Sequence, residues 1–307
     1  MIKKALIPAA GFGTRFLPQT KAMPKEMMPL VDKPIIQRVV EELVDAGIET
    51  IVIVTGWNKR SIEDHFDNHF ELEEKLARAG KEKELEMVRK ISDMAEFIYV
   101  RQKGPVGNAT PILNSRHIMG DKPFMLFWGD DFIDANPSRA KQLMEAYNKY
   151  KTMIIGGLRI DTEDGYEESS MANDSPYKKY GFVGGEEVNS GILRVNKVVE
   201  KPGNKEAAPS NLASISGFVI TCDIYEHLEK AKDNLKEEEE LGYLMGIQRA
   251  IDAGVPVYAL ELKNAVYRDT GNKLEYLKTV VEYGLKHEEI GKDFTAYLQK
   301  VKSDLPT

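Results

Sequence analysis

Cysteine is all but missing. Cys222 is the only one in 307 residues, so the chain can close no internal disulfide, and a reducing, cytoplasmic setting is expected. Its surroundings, Phe218-Val219-Ile220-Thr221-Cys222, read as core packing. Long apolar runs are missing too. No stretch approaches the roughly 20 residues of a membrane span. The first eleven residues hold one short apolar run broken by Pro8, too little for a secretory signal. An excess of positive charge is also lacking. The formal net charge is −7, whereas a nucleic-acid partner usually requires a basic face, so neither nucleic acid nor membrane is expected as a partner. There are no internal repeats, no low-complexity linker, and no nucleophile motif calling for a covalent intermediate.

What is present is ordinary globular material. Hydrophobic residues make up 42% and charged residues 30%, enough for a substantial core. Strands are expected over 4–8, 50–54, 97–100, 124–128 and 153–158. Helices are expected between them: from Asp32 with Pro34 near its first position, from Asn58 or Ser61, over 108–118 and over 138–150. Residues 70–92 read as a solvated helical excursion. Strand and helix alternating at short spacing indicate an α/β fold with a doubly wound parallel sheet.

The rhythm changes after residue 160. Residues 161–185 are polar and read as an inserted hairpin or loop at a pocket mouth. Short strand pieces follow at 193–195 and 198–200, then strands at 212–222 and 257–262. Helices are expected over 223–232, 241–253, 272–286 and 294–302, with 236–240 a solvated charge run. The expected organisation is one domain with a mixed sheet. Residues 1–160 form a first half, 161–270 a second, and 271–307 a helical C-terminal arm. Leu277, Val280, Val281 and Tyr283 give that arm contacts for its own core or for a second subunit, as in a homo-oligomer (dimer or tetramer).

The candidate site begins where the first strand ends, at Ala9-Ala10-Gly11-Phe12-Gly13-Thr14-Arg15-Phe16-Leu17-Pro18, with Pro24-Lys25-Glu26 behind it. A glycine turn at the C-terminal end of a buried parallel strand is where such sheets bind ligands. Its N–H groups can converge on an anion, and Arg15 and Lys25 add fixed positive charge. A tight βα turn with surface cations is the plain alternative. The dinucleotide fingerprint wants a third glycine where Phe16 stands, which counts against a nicotinamide dehydrogenase, and a phosphate loop wants Gly-Lys-Ser/Thr where Gly-Thr-Arg stands. Further on, an apolar strand stops at Gly129-Asp130-Asp131. Adjacent carboxylates at a strand tip repel unless a cation neutralises them, and hard oxygen ligands suit Mg²⁺. Asp269, before Gly271 and a helix, offers a second carboxylate. Helix capping is the bland reading for both Asp130 and Asp269.

The string Ala-Ala-Gly-Phe-Gly-Thr-Arg-Phe-Leu-Pro, with Pro-Lys-Glu-Met-Met-Pro after it, resembles the signature of the sugar-phosphate nucleotidyltransferases. Its spelling is similar to that of the bacterial-type UTP–glucose-1-phosphate uridylyltransferases. The resemblance runs from Lys3 to about Leu298. It implies a nucleotide-diphospho-sugar transferase fold, with UTP and glucose 1-phosphate as substrates and Mg²⁺ as cofactor. It implies catalytic roles for Arg15, Lys25 and Asp130, with Asp130 and Asp269 as metal ligands. Nucleotide contacts fall to Ala9, Ala10, Gly11, Gly13, Gln102, Gly107 and Asp131, the Gln102 amide matching the imide edge of uracil or thymine. Sugar-phosphate contacts fall to Gly181 in Tyr180-Gly181-Phe182 and to Glu200 and Lys201 in Glu-Lys-Pro. The chain departs from the family pattern at Ala109-Thr110 and over 237–246, where sugar and base choice are open. The alternatives kept in view are a dTTP or N-acetylhexosamine-1-phosphate enzyme and a catalytically idle nucleotide-sugar-binding subunit.

Overall fold

The computed structural model describes residues 1–160, 175–215 and 217–304. The strands are β1 (Lys4–Ala9), β2 (Pro29–Leu30), β3 (Lys33–Pro34), β4 (Thr50–Thr55), β5 (Glu96–Arg101), β6 (Phe124–Leu126) and β7 (Phe132–Ala135). They continue with β8 (Met153–Arg159), β9 (Gly181–Asn189), β10 (Ile192–Glu200), β11 (Leu212–Ser214), β12 (Phe218–Ile220), β13 (Val257–Glu261) and β14 (Ala265–Arg268). Ten of them form one mixed sheet in the order β11-β9-β10-β13-β8-β12-β6-β1-β4-β5. The β6-β1-β4-β5 part is parallel.

The near-continuous apolar strands are buried on both faces, as a parallel sheet requires. Alternate residues serve opposite cores: Ala5, Ile7, Ile51 and Ile53 face one, and Leu6, Val52 and Val54 the other. Helix Ile35–Asp45 covers the first face with Ile36, Val39, Val40 and Leu43, beside helix Arg139–Tyr150 with Ala140 and Leu143. Helices Thr110–Met119, Ile224–Asp233 and Tyr243–Asp252 cover the second. Cys222 is a partly buried free thiol packed at that second core, as expected. The charged 70–92 stretch forms two helices, Phe70–Arg78 and Glu82–Ser92, neither with a buried residue.

Several boundaries differ from expectation, each for a tertiary reason. The 212–222 strand is two strands. β11 pairs with β9 and with the Leu158–Arg159 end of β8, while β12 pairs with β6 and with Ile154–Ile155 of β8. Gly217, at φ +91°, lies between them. The two pieces at 193–200 are one strand, β10, with an irregular register between Val195 and Lys197. β8, β11, β9, β10 and β13 thereby close on one another. Of the segment expected as a hairpin, 161–174 lies outside the described residues; 176–185 holds helix Pro176–Lys179 and the start of β9, and the hairpin itself is β9–β10. The short ladder of β7 with β14 was not expected at all. Among the described residues no helix is long and apolar enough to cross a membrane.

Candidate active site

β1 runs out at Ala9, and the chain turns through Gly11 and Gly13. Gly13 has φ +66°, a left-handed conformation that favours glycine, and its carbonyl accepts a hydrogen bond from Thr20 Oγ1 at 2.6 Å. It opens the one-turn helix Thr14–Phe16 that carries Arg15. A later one-turn helix, Lys25–Met27, brings Lys25 back beside the turn. Gly11 lies beside the Lys25 side chain, where a Cβ would make ordinary contact with Cε at 3.7 Å and Nζ at 3.8 Å. Lys25 Nζ donates to Asp130 Oδ2. Burial by itself would lower the pKa of Lys25, but the Asp130 and Glu26 carboxylates outweigh it and hold the ammonium above its ordinary 10.5.

The unexpected ladder assembles the acidic side. β7 and β14 pair antiparallel with Phe132 opposite Arg268, so Asp131, just before one strand, lies across from Asp269, just after the other. Thr270 Oγ1 donates to the Asp130 carbonyl and ties the two strand ends together. Asp269 Oδ1 accepts from Gly271 N at 3.0 Å; its Oδ2 accepts from Tyr180 Oη at 3.4 Å and lies 3.6 Å from Lys179 Nζ. A Cβ on Gly271 would sit 2.9 Å from the Arg15 guanidinium and 3.1 Å from Asp269 Oδ1. Arg15, Lys25, Asp130 and Asp269 thus belong to one connected patch. The capping alternative fails for both aspartates. Asp130 precedes a strand, and the helix after Asp269 is capped by Asn272, whose Oδ1 accepts from Leu274 N at 2.8 Å and Glu275 N at 3.2 Å. Asp131 faces Arg139 at 3.9 Å, a buried guanidinium bonded to both Glu42 oxygens and stacked on Phe127.

The sugar-side residues adjoin this patch. Gly181 and Glu200 are register partners across β9–β10, and Lys201 N donates to the Tyr180 carbonyl at 3.1 Å. Through Tyr180 the group therefore reaches Asp269. The protein around Glu200 raises its carboxyl above the usual range, and Lys201 draws it back; the side chain is 42% exposed, so solvent screens both effects. Tyr243 lies at the edge of this group, its ring against Trp128 and Phe218 and its hydroxyl raised chiefly by burial and further by Glu200.

Gln102 follows β5 directly, and Gly107 lies further along the loop before helix Thr110–Met119. Gln102 N donates to the Thr55 carbonyl at 3.0 Å, and the next residue, Gly56, approaches so near to Ala10 that a Cβ there would meet its carbonyl at 3.0 Å. The loop after β5 is thus set beside the glycine turn. Gly107 has a packing duty of its own: at φ +145°, a Cβ would strike the Leu241 backbone. Ala109 N donates to the Leu241 carbonyl at 3.0 Å and Tyr243 N to Asn108 Oδ1 at 2.9 Å. The two departures from the family pattern therefore touch, and form one structural unit.

A patch that gathers two cations and two carboxylates beside the strand ends can hold polyphosphate. Among the described residues no cluster of three or more His, Cys, Asp or Glu could hold an ion alone. Two carboxylates do suit Mg²⁺, which commonly binds through one or two of them plus substrate phosphates. The fold and site define a nucleotidyl transferase: that family's model matches residues 4–284, and the chain belongs to it. Full-length relatives narrow the family. A UTP–glucose-1-phosphate uridylyltransferase 2 of Staphylococcus saprophyticus is 42% identical over 98% of both chains, and a UTP–glucose-1-phosphate uridylyltransferase of Staphylococcus epidermidis is 40% identical over the same share. Among solved structures, a UDP-glucose pyrophosphorylase complexed with UDP-glucose is 36% identical, covering 94% of this chain and 100% of its own, with TM-score 0.78. The UTP-bound enzyme from Acinetobacter baumannii is 32% identical, covering 97% and 99%, with TM-score 0.80. Within the nucleotidyl transferases, the chain belongs to the UTP–glucose-1-phosphate uridylyltransferases.

Proposed function

We infer that the protein transfers the uridylyl group of UTP to glucose 1-phosphate, giving UDP-glucose and pyrophosphate. The observation that carries this reading is the single patch formed by Arg15, Lys25, Asp130 and Asp269 at the strand tips. A phosphate oxygen of glucose 1-phosphate attacks the α-phosphorus of UTP. The new P–O bond forms as the bond to the β-phosphate breaks, and its electrons leave with pyrophosphate. Nothing covalent is asked of the protein, so catalysis is alignment and charge stabilisation.

Backbone N–H groups over 10–13 cradle the nucleotide. Lys25 faces the α-phosphate, where charge builds, and Arg15 faces the departing pyrophosphate. Gln102 reads the uracil imide edge, Glu200 accepts from sugar hydroxyls, and Lys201 offsets the sugar phosphate. Asp130 and Asp269 would hold Mg²⁺, which when bound supplies charge neutralisation and Lewis acidity to the phosphates. Residues 1–160 serve the nucleotide and 161–270 the sugar. The 271–307 arm serves self-association. On helix Lys273–Lys286, Val280 and Tyr283 pack on the core while Leu274, Leu277, Val281 and Leu285 form an exposed apolar stripe, which pairs with a second copy.

The test is pyrophosphate release from UTP, dTTP and other triphosphates against glucose 1-phosphate and N-acetylhexosamine 1-phosphates. The UTP and glucose 1-phosphate pair is expected to give the highest kcat/KM. A higher value for another pair reassigns the substrate, and no release with any pair refutes the activity.

A further inference from the structure

An ion pair is sealed beneath the cleft. Lys59 and Glu26 are 1% and 0% exposed, with Lys59 Nζ 2.7 Å from Glu26 Oε2. Lys59 sits between β4 and the helix Arg60–Phe66, while Glu26 is the middle residue of the one-turn helix that carries Lys25. Glu26 Oε1 is buried and has no hydrogen-bond partner among the described residues. The Glu26 Cγ lies 3.3 Å from where a Cβ on Gly129 would be, so this carboxylate is wedged under the strand tip that bears Asp130.

Burying two charges is costly, and an apolar pair of the same volume often stabilises a fold equally well. Stability is therefore a poor reason to keep this one. Position supplies a better reason. The Lys25 ammonium has two carboxylates in range, Asp130 and Glu26, and both act on its charge. It bonds to Asp130. Glu26 instead turns its bonded oxygen to Lys59, which approaches from a different element.

We propose that Lys59 is a positioning residue: it holds Glu26 away from Lys25, and so leaves the Lys25 ammonium directed at Asp130 and at the α-phosphate. This rests on the reading of Lys25 as the α-phosphate cation. Burial raises the Glu26 carboxyl, and Lys25 and Lys59 both draw it down. Without the Lys59 charge and its hydrogen bond, Lys25 is the cation that remains, and the ammonium is drawn toward Glu26. The arrangement needs no contact between Lys59 and either substrate.

Two variants test this, each assayed well below its own Tm. Lys59→Gln keeps a polar partner for Glu26 but drops the charge. Lys59→Met with Glu26→Gln removes both charges. Lys59→Gln should lose about 10²–10³ in kcat, with KM for both substrates within about threefold of wild type. The double variant should recover to within about tenfold of the wild-type kcat, because no carboxylate then competes for Lys25. A folded Lys59→Gln protein with wild-type kcat overturns the proposal. So does a folded double variant whose kcat is as low as that expected of Lys59→Gln, and this arm holds even if Lys59→Gln fails to fold. An activity loss in Lys59→Gln that only tracks its unfolded fraction assigns the pair to stability and also overturns it. Lys25→Ala run in parallel separates the two readings: if it is fully active, the role of Lys25 fails; if it is slow while Lys59→Gln is not, only the role of Lys59 fails.

Discussion

In the proposed reaction Lys25 must stay charged and in place while charge redistributes around the α-phosphorus. Its bond to Asp130 and the carboxylate of Glu26 serve the first need, and the Asp130 bond with the one-turn helix Lys25–Met27 serves the second. Lys25→Ala and Asp130→Ala should each fold, with Tm within several degrees of wild type, since neither side chain fills a core. Each should lose about 10²–10³ in kcat, measured as pyrophosphate release. Normal turnover in either would refute its role. Asp130 was legible in the sequence because packing poorly explains paired carboxylates at the tip of an apolar strand, and Lys25 because it follows the glycine turn and a family signature. Lys59 was not. A lysine just before a helix reads as a surface residue, and only the tertiary placement of Glu26 beneath Gly129 turns it inward.

At the level of elements, the decisive piece is the β7–β14 ladder. Four residues on each side, Phe-Ile-Asp-Ala and Ala-Val-Tyr-Arg, are too short and too mixed to announce a strand, yet they join distant chain segments, pairing Phe132 with Arg268 and Ala135 with Ala265, and set the aspartates side by side. Apolar strands such as β1 and β4 were plain as continuous apolar runs; this one exists only through its partner. The base loop depends on a similar junction. Gly107→Ala forces a Cβ onto the Leu241 backbone at a left-handed φ, so it should cost about 1–3 kcal/mol in chemical denaturation and raise the KM for UTP. An unchanged midpoint and KM would separate the loop from the helix start. Helix Arg60–Phe66 carries a pH signature. Burial holds His65 below its ordinary 6.5, and its Nε2 bonds to Gln37 Oε1 at 3.0 Å. The unfolded chain therefore takes up this proton first. The stabilising contribution is whole above 6.5 and is lost as pH falls through the lower folded value. Thermal melts should show Tm falling from pH 7 to pH 5, with a shallower slope in His65→Gln; equal slopes would mean His65 is not the group responsible.

For the molecule as a whole, the difficulty is holding two polyanions on a chain of net charge −7. Positive charge is gathered locally instead, with Arg15 and Lys25 brought to the same strand tips as Asp130 and Asp269. The exposed stripe on helix Lys273–Lys286 belongs to this scale as well. Leu277 is 59% exposed although its neighbours Val280 and Tyr283 pack inward, so on the proposed self-association Leu277→Asp with Val281→Asp should lower the sedimentation coefficient toward that of a monomer while leaving the chain folded. An unchanged sedimentation coefficient would move the contact elsewhere. The architecture was legible from composition and alternation, but the closure of β8, β11, β9, β10 and β13 was not, since it depends on one strand serving different partners at its two ends. The most direct measurement is the Mg²⁺ dependence of pyrophosphate release for wild type, Asp130→Asn and Asp269→Asn. Both variants should need at least about tenfold more Mg²⁺ for half-maximal rate, as expected when an ion shared between protein and phosphates loses a carboxylate. Wild-type Mg²⁺ curves in both variants would contradict an ion held between these two strand ends.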